Sequence, residues 1–242
     1  MIYFSRTQPA RTRNSKKANL TPLLSGGFQP AALAAGLLTL LAIILWGAVA
    51  FPETATWVHA LDDRWHAAIA AREWLPLVVM AQGLALAGSG WVTVPLRIIV
   101  ALWLWRRRHW TRLGTWVLAI IAAQVSTILG KLLYERPRPD DRLMEVVSTS
   151  FPSEHATNAA VIGLTLVFIL VPPGARRRRW LVLAVAFALL MAWSRTYLRV
   201  HWLSDVTGGL LSGFAWALWA ALLAPRLIGF HQTSRASTGS TR

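Results

Sequence analysis

Long apolar runs, with charge gathered at their ends, constrain this chain more than any other feature. Residues 31–51 form such a run with no charge inside it, and a helix that crosses a bilayer needs about 20 mostly apolar residues. Further runs lie at 75–105, 111–134, 156–171, 180–197 and 206–228. Gly88, Ser89, Gly90 and Pro95 interrupt the second of these. Its first half therefore reads as a membrane-surface or re-entrant helix, and the second span begins at about Ser89. Residues 52–74 are mixed, carrying Glu53, Asp62, Asp63, Arg64, Arg72 and Glu73. Lipid offers no partner to a backbone N–H or C=O, so runs of this length cross as helices. The expectation is an all-α, polytopic membrane bundle of six transmembrane helices.

Charge orients the bundle. The chain has 25 Lys and Arg against 10 Asp and Glu, a formal net charge of +15. Such an excess often points to nucleic acid, but these cations sit between apolar runs, and no nucleic-acid partner is expected. Arg6, Arg11, Arg13, Lys16 and Lys17 precede the first span. Arg106, Arg107, Arg108 and Arg112 lie between the second and third, and Arg176, Arg177, Arg178 and Arg179 between the fourth and fifth. Arg226, Arg235 and Arg242 follow the sixth. All ten acidic residues fall in the segments left for the opposite side. Basic residues stay on the untranslocated side, so both termini are expected in the cytoplasm, beside anionic lipid headgroups. Ala48-Val49-Ala50 looks like a signal-peptide cleavage site, but the run before it is too long for one. The domain reading is a basic cytoplasmic tail at 1–29, a six-span domain at 30–229 and a cytoplasmic tail at 230–242. The absence of Cys rules out a disulfide scaffold.

Polar groups beside a span are costly and mark function by default. Three stretches carry them, all expected at the outer membrane face. Lys131 to Pro139 ends the third span, Pro152 to His155 opens the fourth, and Ser194 to Asp205 joins the fifth to the sixth. Lys131, Arg138 and Arg195 are cations without an obvious acidic partner. Ser153 adds a hydroxyl at a helix start, where free N–H groups bind anions. Together they suit a phosphate, which arginine grips through two oxygens. His201 and Asp205 are spaced i, i+4 and share a helix face. Asp205 can then accept the Nδ1 proton of His201 and leave Nε2 free to attack phosphorus. His155 suits the proton donor to the leaving oxygen. No metal or other cofactor is expected, and the protein's own cations are left to neutralise the developing charge.

These stretches read K-x6-R-P, P-S-x-H and S-R-x5-H-x3-D, and they resemble the three signature motifs of the type-2 phosphatidic acid phosphatase family of membrane lipid phosphatases. The likeness covers motif order, spacing and span number over roughly residues 57 to 228. It implies metal-independent hydrolysis of a lipid phosphomonoester or diphosphate. His201 would form a phosphohistidine, oriented by Asp205. His155 would protonate the leaving group and later activate water. Lys131, Arg138 and Arg195 would hold the phosphoryl oxygens, helped by Ser153 and the backbone N–H of Glu154, with Ser194 and Pro139 as supporting residues. The second motif usually reads P-S-G-H; here Glu154 replaces the glycine, as in a bacterial branch acting on polyprenyl diphosphates such as undecaprenyl diphosphate. Glu154 then either discriminates diphosphate from monophosphate headgroups, or faces solvent or pairs with Arg136 or Arg142.

The expected setting is a bacterial inner membrane, with the site on its periplasmic or outer face and a membrane lipid as substrate. Phosphatidylglycerol phosphate and phosphatidate are alternative substrates, and lipid-to-lipid phosphotransfer is an alternative reaction. A phosphate-lipid transporter or scramblase would use the same pocket without cleavage. The remaining residues have blander readings. Asp62 and Asp63 read as a solvated surface, His59, His66, His109 and His231 as loop or interfacial histidines, and Arg97 as a snorkelling or bundle-facing cation.

Overall fold

A computed structural model describes residues 28–51, 53 and 56–238. The basic residues at positions 6–17 and Arg242 lie outside the described residues. Eight helices follow in order: α1 (Phe28–Ala50), α2 (Thr56–Ala70), α3 (Leu75–Ala87), α4 (Gly90–Arg106), α5 (Trp110–Tyr134), α6 (Glu154–Leu170), α7 (Ala175–Tyr197) and α8 (Leu203–Thr238). Among the described residues there is no strand. Five stretches are long and apolar enough to cross a membrane: Gln29–Ala50, Leu75–Arg106, Trp110–Tyr134, Ala175–Tyr197 and Leu203–Ile228. The fourth expected span, α6, is an apolar helix of only 17 residues, or about 26 Å.

One expected break is present, and one boundary differs from the sequence reading. The run 75–105 is two helices, parted at Gly88 and Ser89. Arg176 to Arg179 do not form a linker; they belong to the first turns of α7, which begins at Ala175. Arginine is a good helix former, so charge alone does not end a helix. Arg177 is buried, 3% exposed, and its Nε donates to the Val171 carbonyl at 2.7 Å. It thereby serves a carbonyl just past the C-terminus of α6, where helices leave such acceptors unpaired.

α8 packs against α1, α5, α6 and α7, and α6 is enclosed by α5, α7 and α8. Val161, Ile162, Leu164, Phe168 and Ile169 of α6 meet Trp116, Ala119 and Ala123 of α5 and Ala217, Ala220 and Ala221 of α8. Enclosure by protein explains how so short a helix is tolerated here, because its ends need not reach the lipid surfaces by themselves. The α6–α8 approach depends on small residues, as in other membrane bundles. A Cβ at Gly209 would lie 2.6 Å from the Ser153 carbonyl oxygen, and one at Gly213 would lie 2.6 Å from that of Thr157. The outward faces of α1, α4, α5 and α7 expose large apolar residues such as Leu37, Ile99, Ile128 and Leu183, as lipid-facing helices do.

Candidate active site

The α6–α8 contact places two of the sequence motifs against each other. The Ser153 N–H donates to the Asp205 carbonyl at 3.0 Å, so the start of α6 sits on the first turn of α8. Lys131 lies in the last turn of α5. Beyond it the chain leaves the helix through Glu135, whose positive φ of 39° ends α5 in the left-handed region. Arg138 follows in the connection to α6. Arg195 lies in the last turn of α7, and His201 in the turn before α8.

One cavity of about 430 Å³ gathers these groups. Lys131, Arg138, Glu154, His155, Arg195 and His201 line it, along with Ser148, Met144 and Val146 of the α5–α6 connection and Gln82, Ala85, Leu86 and Ser89 near the α3–α4 break. Ser153 and Asp205 are fully buried beneath it, each 0% exposed. Ser194 and Pro139 do not line it. The Ser194 hydroxyl donates back to the Met191 carbonyl at 2.7 Å, and the Pro139 carbonyl accepts from Arg142 at 3.4 Å.

The hydrogen bonds fix how the two imidazoles are protonated. Arg138 Nη1 stands 3.1 Å from Nε2 of His201. A guanidinium only donates, so Nε2 is the lone-pair nitrogen and the proton sits on Nδ1. Nδ1 lies 3.4 Å from Asp205 Oδ2, looser than a good hydrogen bond, and it has no other partner. Burial lowers the His201 imidazole to about 3; Arg138 and Arg195 push the same way, and contact with Asp205 opposes them. The ring is thus held neutral, the form a nucleophile needs. His155 points Nε2 at the Ala85 carbonyl, 3.1 Å away. A carbonyl only accepts, so Nε2 carries hydrogen and Nδ1 is left to take or give a proton. The backbone of α3 approaches this closely because residue 88 is glycine: a Cβ there would stand 2.7 Å from His155 Cδ2.

The cations are arranged by carbonyls. Lys131 Nζ donates to Thr149 O at 2.7 Å. Arg138 donates to Ser148 O at 2.6 Å, to Thr149 O at 3.0 Å and to Val200 O. Burial keeps the Arg138 guanidinium below its usual value and Arg142 adds to this, while Asp205 opposes them. Besides Nδ1 of His201, Nε of Arg195 and the hydroxyls of Ser153 and Ser89 stand unpartnered around the cavity. Arg195 is only 2% exposed. Buried polar atoms without partners are costly, and a phosphoryl group in this cavity would supply acceptors for such donors.

Several residues at the site escaped the sequence reading. Asp62 is not a solvated surface carboxylate. It is 2% exposed and pairs with Arg136 at 2.7 Å. Arg136 also holds Asp205 Oδ1 at 2.8 Å, and its Nη2 lies 3.5 Å from His59 Nδ1. His66 pairs with Asp141 at 2.9 Å. Ser150 donates to Asp205 Oδ2. Glu154 pairs with neither Arg136 nor Arg142, since Arg142 instead reaches Glu145 at 3.5 Å. The only sequence signal for Asp62 and Arg136 was charge in a segment leading into or out of a span.

Comparison with known proteins places the chain in a family. The family model of the PAP2 superfamily matches residues 78–228. Phosphatidylglycerophosphatase B of Bacillus subtilis (strain 168) is 32% identical over 157 residues, 61% of this chain and 74% of that protein. Undecaprenyl-diphosphatase BcrC of the same organism is 30% identical over 142 residues, 53% of this chain and 68% of that protein. Among solved structures, the transmembrane PAP2-type phosphatidylglycerolphosphate phosphatase from Bacillus subtilis superposes with a TM-score of 0.65 at 26% identity, covering 82% of this chain and 96% of that one. The chain therefore belongs to the PAP2 superfamily and is a membrane lipid phosphatase, a hydrolase acting on phosphate esters.

Proposed function

We propose that the protein removes the terminal phosphate of a polyprenyl diphosphate, with undecaprenyl diphosphate giving undecaprenyl phosphate as the leading case. The observation that carries the mechanism is the neutral, Nδ1-protonated His201 facing a cation-lined cavity that also contains His155. Nε2 of His201 attacks the terminal phosphorus as the bond to the bridging oxygen breaks. Lys131, Arg138 and Arg195 neutralise the three equatorial oxygens, and Ser153 donates where its hydroxyl is now unpartnered. The proton for the departing lipid phosphate enters with the substrate: a P–OH proton of the bound headgroup passes to Nδ1 of His155, whose Nε2–H stays on the Ala85 carbonyl, and Nδ1 then gives it to the leaving oxygen. The phosphohistidine then meets water, whose proton returns to His155 as the N–P bond breaks and inorganic phosphate leaves. Asp205 steadies the positive charge that His201 gains in between.

The polyprenyl reading is supported by the relative named as an undecaprenyl-diphosphatase. The relative and the solved structure named for phosphatidylglycerophosphate favour that substrate as a second reading. In both, α6 completes a six-span domain over residues 30–229 of a bacterial inner membrane protein. Both termini lie in the cytoplasm and the cavity opens on the outer side. The headgroup enters it while the lipid tail stays in the bilayer.

The test is phosphate release from undecaprenyl diphosphate, phosphatidylglycerol phosphate and phosphatidate in detergent, with and without a chelator. The diphosphate should be the best substrate and the chelator should change nothing. His201→Ala should lose about 10⁴-fold or more. A variant with full turnover would remove His201 as the nucleophile. Transfer of labelled phosphate to an added lipid instead of water would make the protein a phosphotransferase, and binding without release would make it a carrier.

A further inference from the structure

Behind the His201–Asp205 pair lies a second layer of charge that the three motifs do not include. Asp205 Oδ1 accepts from Arg136 Nη1 at 2.8 Å. Arg136 Nη2 donates to Asp62 Oδ2 at 2.7 Å. Asp62 in turn accepts from the Ser204 N–H at 2.8 Å and the Ser204 hydroxyl at 2.6 Å, and Arg136 Nη1 also reaches the Ser204 hydroxyl at 2.6 Å. Every member is buried: Asp62 2%, Arg136 8%, Ser204 5% and Asp205 0% exposed. The chain of contacts starts on α2, an element that contributes no residue to the cavity lining.

We infer that Asp62 and Arg136 are positioning residues for the reaction, setting how strongly Asp205 acts on His201. The inference rests on the phosphohistidine reading above. Ionised, Asp62, Arg136 and Asp205 together carry one net negative charge, ready to meet the positive charge that builds on His201. With Oδ1 tied to Arg136, and Oδ2 facing the Trp202 N–H at 2.8 Å and the Ser150 hydroxyl, the carboxylate cannot rotate away from the ring. Asp62 offsets the charge of Arg136. Without it, that cation would act undiminished on Asp205 and weaken it as an acceptor. Without Arg136, two buried carboxylates would stand together and Asp205 would become the stronger base. The other charged and titratable groups around the pair are His59 on α2, Lys131 on α5, Arg138 in the connection, His155 on α6 and Arg195 on α7. None of them bridges Asp205 to a second carboxylate.

The experiment uses the full-length enzyme in detergent and reads two quantities: steady-state kcat and KM on a lipid diphosphate, and the proton resonance of His201 Nδ1–H in ¹⁵N-histidine-labelled protein. Asp62→Asn should lower kcat about tenfold to a hundredfold, the size seen when a carboxylate behind a functional imidazole is lost, with KM within about twofold. It should move the Nδ1 proton upfield, as the hydrogen bond to Asp205 weakens. Arg136→Gln should move it downfield. Arg136→Lys should recover part of the kcat lost in Arg136→Gln. Should Arg136→Gln fail to fold, the double variant Asp62→Asn with Arg136→Gln, which removes both charges, takes its place. Its resonance should return toward the wild-type position. A fall in stability with no movement of the resonance, or kcat within twofold of wild type in Asp62→Asn, overturns the inference. The phosphohistidine reading is tested separately by His201→Ala: a fully active His201→Ala removes both, whereas an inactive one beside an unresponsive Asp62→Asn removes this inference alone.

Discussion

At the scale of residues, the proposed mechanism depends on one imidazole kept neutral among cations. Burial holds His201 at about 3, against an ordinary 6.5. The sign is set by that direction. As pH falls below 6.5 the unfolded chain takes up a proton at His201 that the folded chain refuses until about pH 3, so this group costs stability progressively through that window. An imidazole titration by ¹⁵N resonance should show His201 still neutral at about pH 5. A midpoint near 6.5 would mean that the ring is not buried among the arginines. Glu154 belongs to the same scale. Its carboxylate lines the cavity and repels phosphate. Glu154→Gly should therefore raise the preference for diphosphate over monophosphate lipid about fivefold, the effect of removing a like-charge contact of roughly 1 kcal/mol. An unchanged ratio would leave Glu154 without a role in discrimination.

At the scale of elements, the geometry of the candidate site is a helix-packing result. α6 presents Ser153, Glu154 and His155 from its first turn, and α8 presents Asp205 from its own. Their relative height depends on the missing side chains at Gly209 and Gly213. Gly213→Ala would place a Cβ 2.6 Å from the Thr157 carbonyl and 2.7 Å from Ala160 Cβ, and neither is the tip of a flexible side chain. Overpacking of this kind costs about 1–3 kcal/mol, so the thermal inactivation midpoint in detergent should drop by several degrees and activity should fall with it. Gly163→Ala is the control: its Cβ would sit 3.5 Å from Ala184 Cβ, an ordinary contact, and it should leave both unchanged. If the two alanine variants behave alike, close approach at Gly213 is not what sets the register of α6 on α8.

At the scale of the whole molecule, the proposed orientation is open to direct measurement, because the chain contains no native cysteine. Val147 beside the cavity is fully exposed, at 106%, and Arg107 lies just past α4 at the other end of the bundle. In intact cells, a membrane-impermeant maleimide should label Val147→Cys but reach Arg107→Cys only after permeabilisation. The reverse pattern would turn the cavity toward the cytoplasm. Much of this protein is decided locally and is therefore written in its sequence. Apolar runs must become helices in lipid, and Gly88-Ser89 marks the break between α3 and α4. The three polar stretches carry Lys131, Arg138, Ser153, His155, Arg195, His201 and Asp205 at spacings that helices and short turns gather around one cavity, the proposed phosphate site. What the sequence alone could not decide concerns partners far apart along the chain. Asp62 in a charge-rich segment looks solvated, and Arg136 occupies an unspecified position of the K-x6-R-P stretch and enters the sequence reading only as a partner for Glu154, because nothing within a few residues of either names its partner. Only the packing of α2 over the start of α8 excludes water from both. In that dry setting an unpaired charge is too costly to keep, so the fold joins them to each other and, through Arg136, to Asp205.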